Sequence, residues 1–178
     1  MKSALRTLAI VAVVVALAFG YVRLAGRKGY ALRPGTEGPA FRLPALAGGE
    51  VDLASRRGRV VVLNFWATWC PPCVAEMPSL QRLYRALSPE GLSVIAVSTD
   101  EDEAELTRFV REHALTMPVL RDPGGRVAGD LYHTTGYPET FVIDRDGRLL
   151  EHVVGPAEWD SPERIAAFRR LMGGAGSR

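Results

Sequence analysis

The stretch Arg59-Val-Val-Val-Leu-Asn-Phe-Trp-Ala-Thr-Trp-Cys-Pro-Pro-Cys73 decides how this chain is read. Its opening residues, rich in β-branched and aromatic side chains, predict a buried strand over 60–66. A helical pattern runs from the second cysteine to about Leu87. Cys70 and Cys73 therefore fall where a strand hands over to a helix. A helix N-terminus carries a partial positive charge and free N–H groups, and both favour a thiolate over a thiol. The thiolate is the nucleophile in thiol–disulfide exchange, so two cysteines at this spacing and place predict a redox-active pair. Cys70, nearer the helix start and solvent, is the expected nucleophile. Cys73, one turn into the helix, is the expected resolving thiol, which attacks the mixed disulfide and releases the reduced partner. Pro71 and Pro72 carry no N–H, so of the first-turn donors that could stabilise a Cys70 thiolate only that of Cys73 remains, with whatever lies beyond it. Fewer donors predict a less acidic Cys70 and a more reducing couple. Prolines also suit a first helical turn for conformational reasons alone, and the two readings are compatible.

These are the only two cysteines of the chain. A structural zinc site needs about four ligands, and His113, His133 and His152 are scattered without ligand spacing. A purely structural disulfide over so short a loop constrains the unfolded chain little. A copper relay built from two thiols and a nearby histidine stays open as an alternative, although such relays space their cysteines one residue wider. A peroxidase of the peroxiredoxin kind places Thr three residues before its reactive Cys. That position is Ala67 here, with Thr68 one residue out of register.

The chain has 178 residues, enough for one domain with a substantial core. Its 22 basic and 20 acidic side chains nearly balance. No basic cluster suggests nucleic acid as a partner. At the N-terminus, Lys2 and Arg6 precede an apolar run from Leu8 to Val22, and Leu24 to Gly26 extend it past Arg23. A spanning helix takes about 20 apolar residues, and Arg6 and Arg23 can snorkel at its ends. Residues 1–25 are thus expected to be a membrane anchor or signal segment, with the retained anchor favoured. The rival is cleavage after Ala16-Leu17-Ala18. Basic residues flank both sides, so the positive-inside rule is weak here. Either reading exports the domain to a compartment where disulfides persist.

Residues 26–37, basic and containing Gly and Pro, read as a linker. A domain follows over 38–172, and 173–178 read as a disordered tail. Within the domain, Phe41-x-Leu43 and Val51-x-Leu53 flank Gly48-Gly49 and suggest a hairpin ahead of the core. Then come the strand 60–66, a helix 73–87, a strand 92–98, a helix 102–114, a short strand within 117–121 and a short helix 124–132. Strands 140–144 and 148–154 are joined by Asp146-Gly147, a strong hairpin signal. A helix over 162–172 ends the series. The order is β-α-β-α, then β-β-α.

Phe65-Trp-Ala-Thr-Trp-Cys-Pro-Pro-Cys73, followed by Glu76-Met-Pro78, resembles the membrane-anchored thioredoxin-like reductases of the TlpA/ResA-like family. Gly136-Tyr-Pro-Glu-Thr-Phe-Val-Ile-Asp144 is similar to that family's segment with a cis-proline, and to its cytochrome c maturation branch. The resemblance runs from about Gly38 to Met172. It implies an α/β, thioredoxin-like fold with an N-terminal β-hairpin extension and a central insert over 99–133, preceded by one transmembrane helix. It implies that Pro138 is the cis-proline beside the cysteines, shaping a docking groove, and that Tyr137 contacts substrate. Trp69 is expected to pack against the motif and shield it, within the same substrate-binding region. Glu76, three residues after Cys73, returns near the same helix face. It matches an acidic residue of ResA-like members, where a carboxyl can relay protons. Partial burial would raise its pKa; the plainer alternative is a solvated helix-face residue. Trp66 is expected in the core, and neither His133 nor Trp159 has an expected role. No cofactor or metal is implied, since the cysteines are the redox centre.

The function implied is a disulfide reductase held by one span in the cytoplasmic membrane, its catalytic domain on the periplasmic or extracytoplasmic side. Clients would be exported proteins with thiols or disulfides, such as apocytochrome c or copper-site cysteines. A membrane electron donor of the transmembrane thiol-reductase kind would resupply it. A disulfide oxidase or isomerase and a copper-binding chaperone module are the alternatives.

Overall fold

The computed structural model of the protein describes residues 32–173. The expected anchor over 1–25, the linker up to residue 31 and the tail from residue 174 lie outside the described residues. Among the described residues no helix is long and apolar enough to cross a membrane.

The strand read from the sequence is β3, Val61–Trp66, and all six of its residues are buried. It is central to a five-stranded mixed sheet. The preceding strands β1 (Arg42–Pro44) and β2 (Glu50–Asp52) form the expected antiparallel hairpin, with Leu43 opposite Val51. β3 pairs in parallel with β4, Ser93–Ser98, and antiparallel with β6, Glu139–Ile143. The short β5, Val119–Arg121, and β7, Leu149–Val154, form the edges, giving the order β5-β4-β3-β6-β7. A strand covered on both faces needs no polar side, which is why β3 reads as a nearly continuous apolar run.

Period-two alternation sorts β3 between two cores. Val61, Leu63 and Phe65 join Phe41, Leu43, Leu53, Phe141 and Tyr132 on one face. Val62 and Trp66 join the other face, packed by three helices. These are α1 (Pro71–Leu87), α2 (Glu103–Glu112) and α3 (Pro162–Gly173). They supply Met77, Leu80 and Leu83, then Leu106, then Phe168. Asn64 falls on this helix-covered face by the same alternation.

Differences from the sequence reading have local causes. α1 starts at Pro71 rather than 73, because proline's fixed φ suits the first helical position and its missing N–H is one the helix does not use. β5 begins only at Val119; Pro118 cannot donate to a ladder, and its carbonyl accepts from Ala96 N–H at 2.9 Å. The short helix expected over 124–132 is a wide π-type turn over Arg126–Leu131. Gly125 opens it at φ +63°, and the Asp122 carboxylate accepts from Val127 N–H and Ala128 N–H. Residues 32–37, read as the end of a linker, are stitched to the β6–β7 hairpin: Gly35 N–H donates to Leu149 O at 2.7 Å, and Leu149 N–H to Thr36 O at 2.8 Å. Gly173, read as tail, closes α3.

Candidate active site

The site is built where β3 leaves the sheet. Cys70 N–H donates to Ala67 O at 3.2 Å, closing a turn. Cys70 caps α1, and Cys73 N–H donates to its Sγ at 3.3 Å. The two positions between them are prolines, so Cys73 N–H is the donor that this turn offers the Cys70 sulfur. The cysteines are joined as a disulfide. Cys73 is fully buried, and Cys70 is the slightly more exposed of the two.

The Tyr137–Pro138 bond is cis, and the Cys70 sulfur lies 3.5 Å from Tyr137 O. This carbonyl and the sulfur thus sit side by side. The loop carrying Tyr137 is held from beneath by the buried Glu139. Its Oε1 accepts from Thr135 N–H at 2.7 Å, from the Thr135 hydroxyl at 2.8 Å and from Gly136 N–H at 3.2 Å. Its Oε2 lies 2.7 Å from His152 Nε2, and that imidazole stacks on Phe141. Trp69 corrects one expectation: it does not pack down on the motif but is 66% exposed. Ala67 and Cys70 turn inward to the core, which leaves Trp69 the outward position of the turn. Its ring meets that of Tyr137 edge-on at 6.0 Å.

Glu76 is buried, not a solvated helix-face residue. Asn64 Nδ2 donates to its Oε1 at 2.7 Å. Trp159 Nε1 and Ala157 N–H donate to its Oε2, each at 3.0 Å. Burial raises its pKa above the usual carboxylate range, and the three donors, with Trp159 the strongest, hold that rise in check. Asn64 Nδ2 also donates to the Thr140 hydroxyl at 2.8 Å, while its Oδ1 is buried without a partner. A chain of hydrogen bonds therefore runs Trp159–Glu76–Asn64–Thr140 beneath the first turns of α1.

The sequence reading missed Asn64, Asp100, Glu139 and the role of Trp159. Asn64 had a signal, since a polar residue inside a fully buried strand needs a partner. Trp159 had none, because it lies 83 residues from the carboxylate it serves. Trp66 is in the core, as expected. Among the described residues no group of three or more His, Cys, Asp or Glu is arranged to hold a metal ion. Chemically, a cysteine pair at a strand-to-helix turn, with a backbone carbonyl beside it and a buried carboxyl below it, can exchange thiols with an incoming disulfide and move the associated proton.

Comparison with known proteins gives the same answer from a different side. The sequence matches the AhpC/TSA family over residues 34–152. It is 38% identical over 121 residues to a thiol-disulfide oxidoreductase ResA of Bacillus cereus, covering 68% of this chain and 69% of that one. It is 40% identical over 136 residues to the ResA of Oceanobacillus iheyensis, covering 74% and 70%. Among solved structures, a thioredoxin-family thiol:disulfide interchange protein of Chlorobium tepidum superposes with a TM-score of 0.68 at 28% identity, over 79% of this chain and 98% of that one. A secreted Mycobacterium tuberculosis disulfide oxidoreductase, homologous to DsbE of E. coli, gives 0.63 at 30% identity, over 71% and 95%. The mixed sheet, the cysteine turn and these relatives agree: the chain belongs to the AhpC/TSA family, among its ResA-like thiol-disulfide oxidoreductases.

Proposed function

We propose that the protein reduces disulfides in exported proteins. The observation that carries this is the poverty of donors around Cys70. With Pro71 and Pro72 in the first turn, Cys73 N–H at 3.3 Å is the thiolate's helical support. A poorly stabilised thiolate favours the disulfide form, so the dithiol gives its electrons away readily.

In the cycle, the Cys70 thiolate attacks one sulfur of the client disulfide. A Cys70–client bond forms, and the client's second sulfur leaves as a thiolate and takes a proton. The Cys73 thiolate then attacks Cys70 Sγ, forming the Cys70–Cys73 disulfide and expelling the client's first sulfur. The client gains two electrons and two protons, and the enzyme pair loses them. Glu76 accepts the Cys73 proton before resolution or donates to a departing Cys73 sulfur during re-reduction. Trp69, Tyr137 and Pro138 receive the client, with Tyr137 O beside the attacking Cys70 sulfur. A transmembrane thiol reductase resupplies the electrons. Apocytochrome c haem-attachment cysteines and copper-site cysteines are the client chemistries that fit.

The domain works on the extracytoplasmic side, tethered by residues 1–25. The apolar run from Leu8 to Val22, with Arg6 and Arg23 at its ends, supports such a tether. β3 runs towards Cys70, β6 runs back from it, and Gly35 to Gly38 bond to Leu149 and Gly147 at the far end of that pair. Residues 35–38 thus lie at the end of the sheet opposite the cysteines.

The test is the reduction potential together with trapping. A couple near the −270 mV of thioredoxin supports a reductant, whereas one near −120 mV makes the protein an oxidant (both about, and thioredoxin and DsbA values). Cys70→Ser should abolish insulin reduction. Cys73→Ala should accumulate the mixed disulfide with its client; a variant that turns over normally would reject the assignment of roles.

A further inference from the structure

We propose that Asp100 is the positioning residue for Cys70, acting through Thr68. Asp100 follows β4 and is 3% exposed. Its carboxylate accepts from Thr68 N–H at 3.2 Å to Oδ1 and 3.0 Å to Oδ2, and from the Thr68 hydroxyl at 2.6 Å. The Ser98 hydroxyl donates to Oδ2 at 2.6 Å. The acceptor is thus occupied by neutral donors, two of them from a single residue that lies two positions before the nucleophile. Asp100 N–H donates in turn to Ser98 Oγ at 3.0 Å, so the carboxylate is itself fixed to the end of β4.

The consequence for the site is geometric. After Trp66 the chain leaves the sheet, and nothing in a strand ladder dictates where Ala67 to Trp69 run. Two fastenings decide it. Ala67 O takes Cys70 N–H at 3.2 Å, and Thr68 is clamped by Asp100. Thr99 N–H also donates to Trp66 O at 3.0 Å, which brings the two loops into register. With the turn held, Cys70 Sγ sits at once over Cys73 N–H at 3.3 Å and beside Tyr137 O at 3.5 Å. The same clamp turns Trp69 outward, to meet Tyr137. Release of Thr68 would free both the nucleophile and its exposed neighbour, without touching a sulfur or a client.

This inference rests on the proposed reductase function only for its client-side readout. The variants are Asp100→Ala, Asp100→Asn, Thr68→Val and the double Asp100→Ala/Thr68→Val in the full chain. Two rates are read well below each variant's melting temperature: insulin disulfide reduction, and iodoacetamide alkylation of Cys70 against pH. Asp100→Ala should slow insulin reduction by about 10- to 100-fold, the scale of an ångström-size misplacement of a reacting group. Asp100→Asn keeps an oxygen for Thr68 N–H and should recover much of the rate. The double variant should be no slower than Asp100→Ala alone, because both changes cut the same link. Thr68→Val keeps the carboxylate's charge, so a rise in its alkylation midpoint reports a sulfur that has slipped from Cys73 N–H. Lower melting temperatures with parental rates and midpoint would overturn the proposal, and so would losses that multiply in the double variant. A parent that leaves insulin disulfides intact would instead reject the reductase reading, and the alkylation midpoint would still judge the clamp.

Discussion

Glu76 shows how a residue's surroundings can be tuned by one amide. Its carboxyl faces Asn64, whose Oδ1 is buried without a partner. A half-turn of the Asn64 amide would present that oxygen as an acceptor, so the cage can hold either a carboxylate or a protonated carboxyl. Because burial raises the Glu76 pKa, the folded protein keeps this proton over a pH window in which the unfolded chain has released it. Stability must then fall as pH rises from the ordinary carboxylate range through the raised value. Glu76→Gln is neutral in both states and, with the amide of Asn64 turned, keeps its partners. Thermal unfolding across pH should show the two proteins nearly matched in acid, with the Gln variant gaining relative to its parent as pH climbs through that window. A difference independent of pH would show that Glu76 does not carry the raised pKa. Trp159→Phe removes the strongest of the donors that restrain the rise, so the pH profile of Cys73-dependent resolution should move to higher pH. An unmoved profile would take Glu76 out of the proton path.

At the level of elements, the first turn of α1 holds the argument about redox direction. Cys70 is its cap and Pro72 stands where another N–H could point at the sulfur. Pro72→Ala restores that donor. The expected result is a lower Cys70 thiol pKa and a potential raised by a few tens of millivolts, given that about 1.4 kcal/mol corresponds to about 30 mV. Equilibration against a glutathione or dithiothreitol buffer measures it, and an unchanged potential would detach the prolines from the redox tuning. Elements of this kind were readable in advance because their signals are local. β-branched runs marked β3 and β4, Asp146-Gly147 marked the β6–β7 hairpin, and the cysteine spacing marked the head of α1. What stayed hidden depends on distant partners. Nothing near Thr68 says that a carboxylate 32 residues away will hold it. A π-type turn differs from a helix only by how its carbonyls are shared, and there the Asp122 carboxylate intervenes.

For the whole molecule, the pattern of alternating and continuous apolar runs was enough to order the elements, while the assembly of the site required the closed sheet. The cysteines and Glu76 come from α1 and Asn64 from β3. Asp100 follows β4, Tyr137 and Thr140 sit at the head of β6, and Trp159 precedes α3. The proposed tether makes its own prediction. Protein extracted from membranes should have an intact mass that includes residues 1–25, and a soluble product beginning at Phe19 would show that Ala16-Leu17-Ala18 is cut. The distance along the chain between Glu76 and Trp159 also sets an order in time. A ribosome adds roughly 5–20 residues per second, so the 83 residues between them take about 4–17 s to make. Until the last of them has emerged and folded back, the two thiols exist with an ordinary, water-exposed glutamate beside them. The newborn chain therefore carries its reactive pair well before it can govern that pair, and becomes a finished enzyme only when its C-terminal segment arrives.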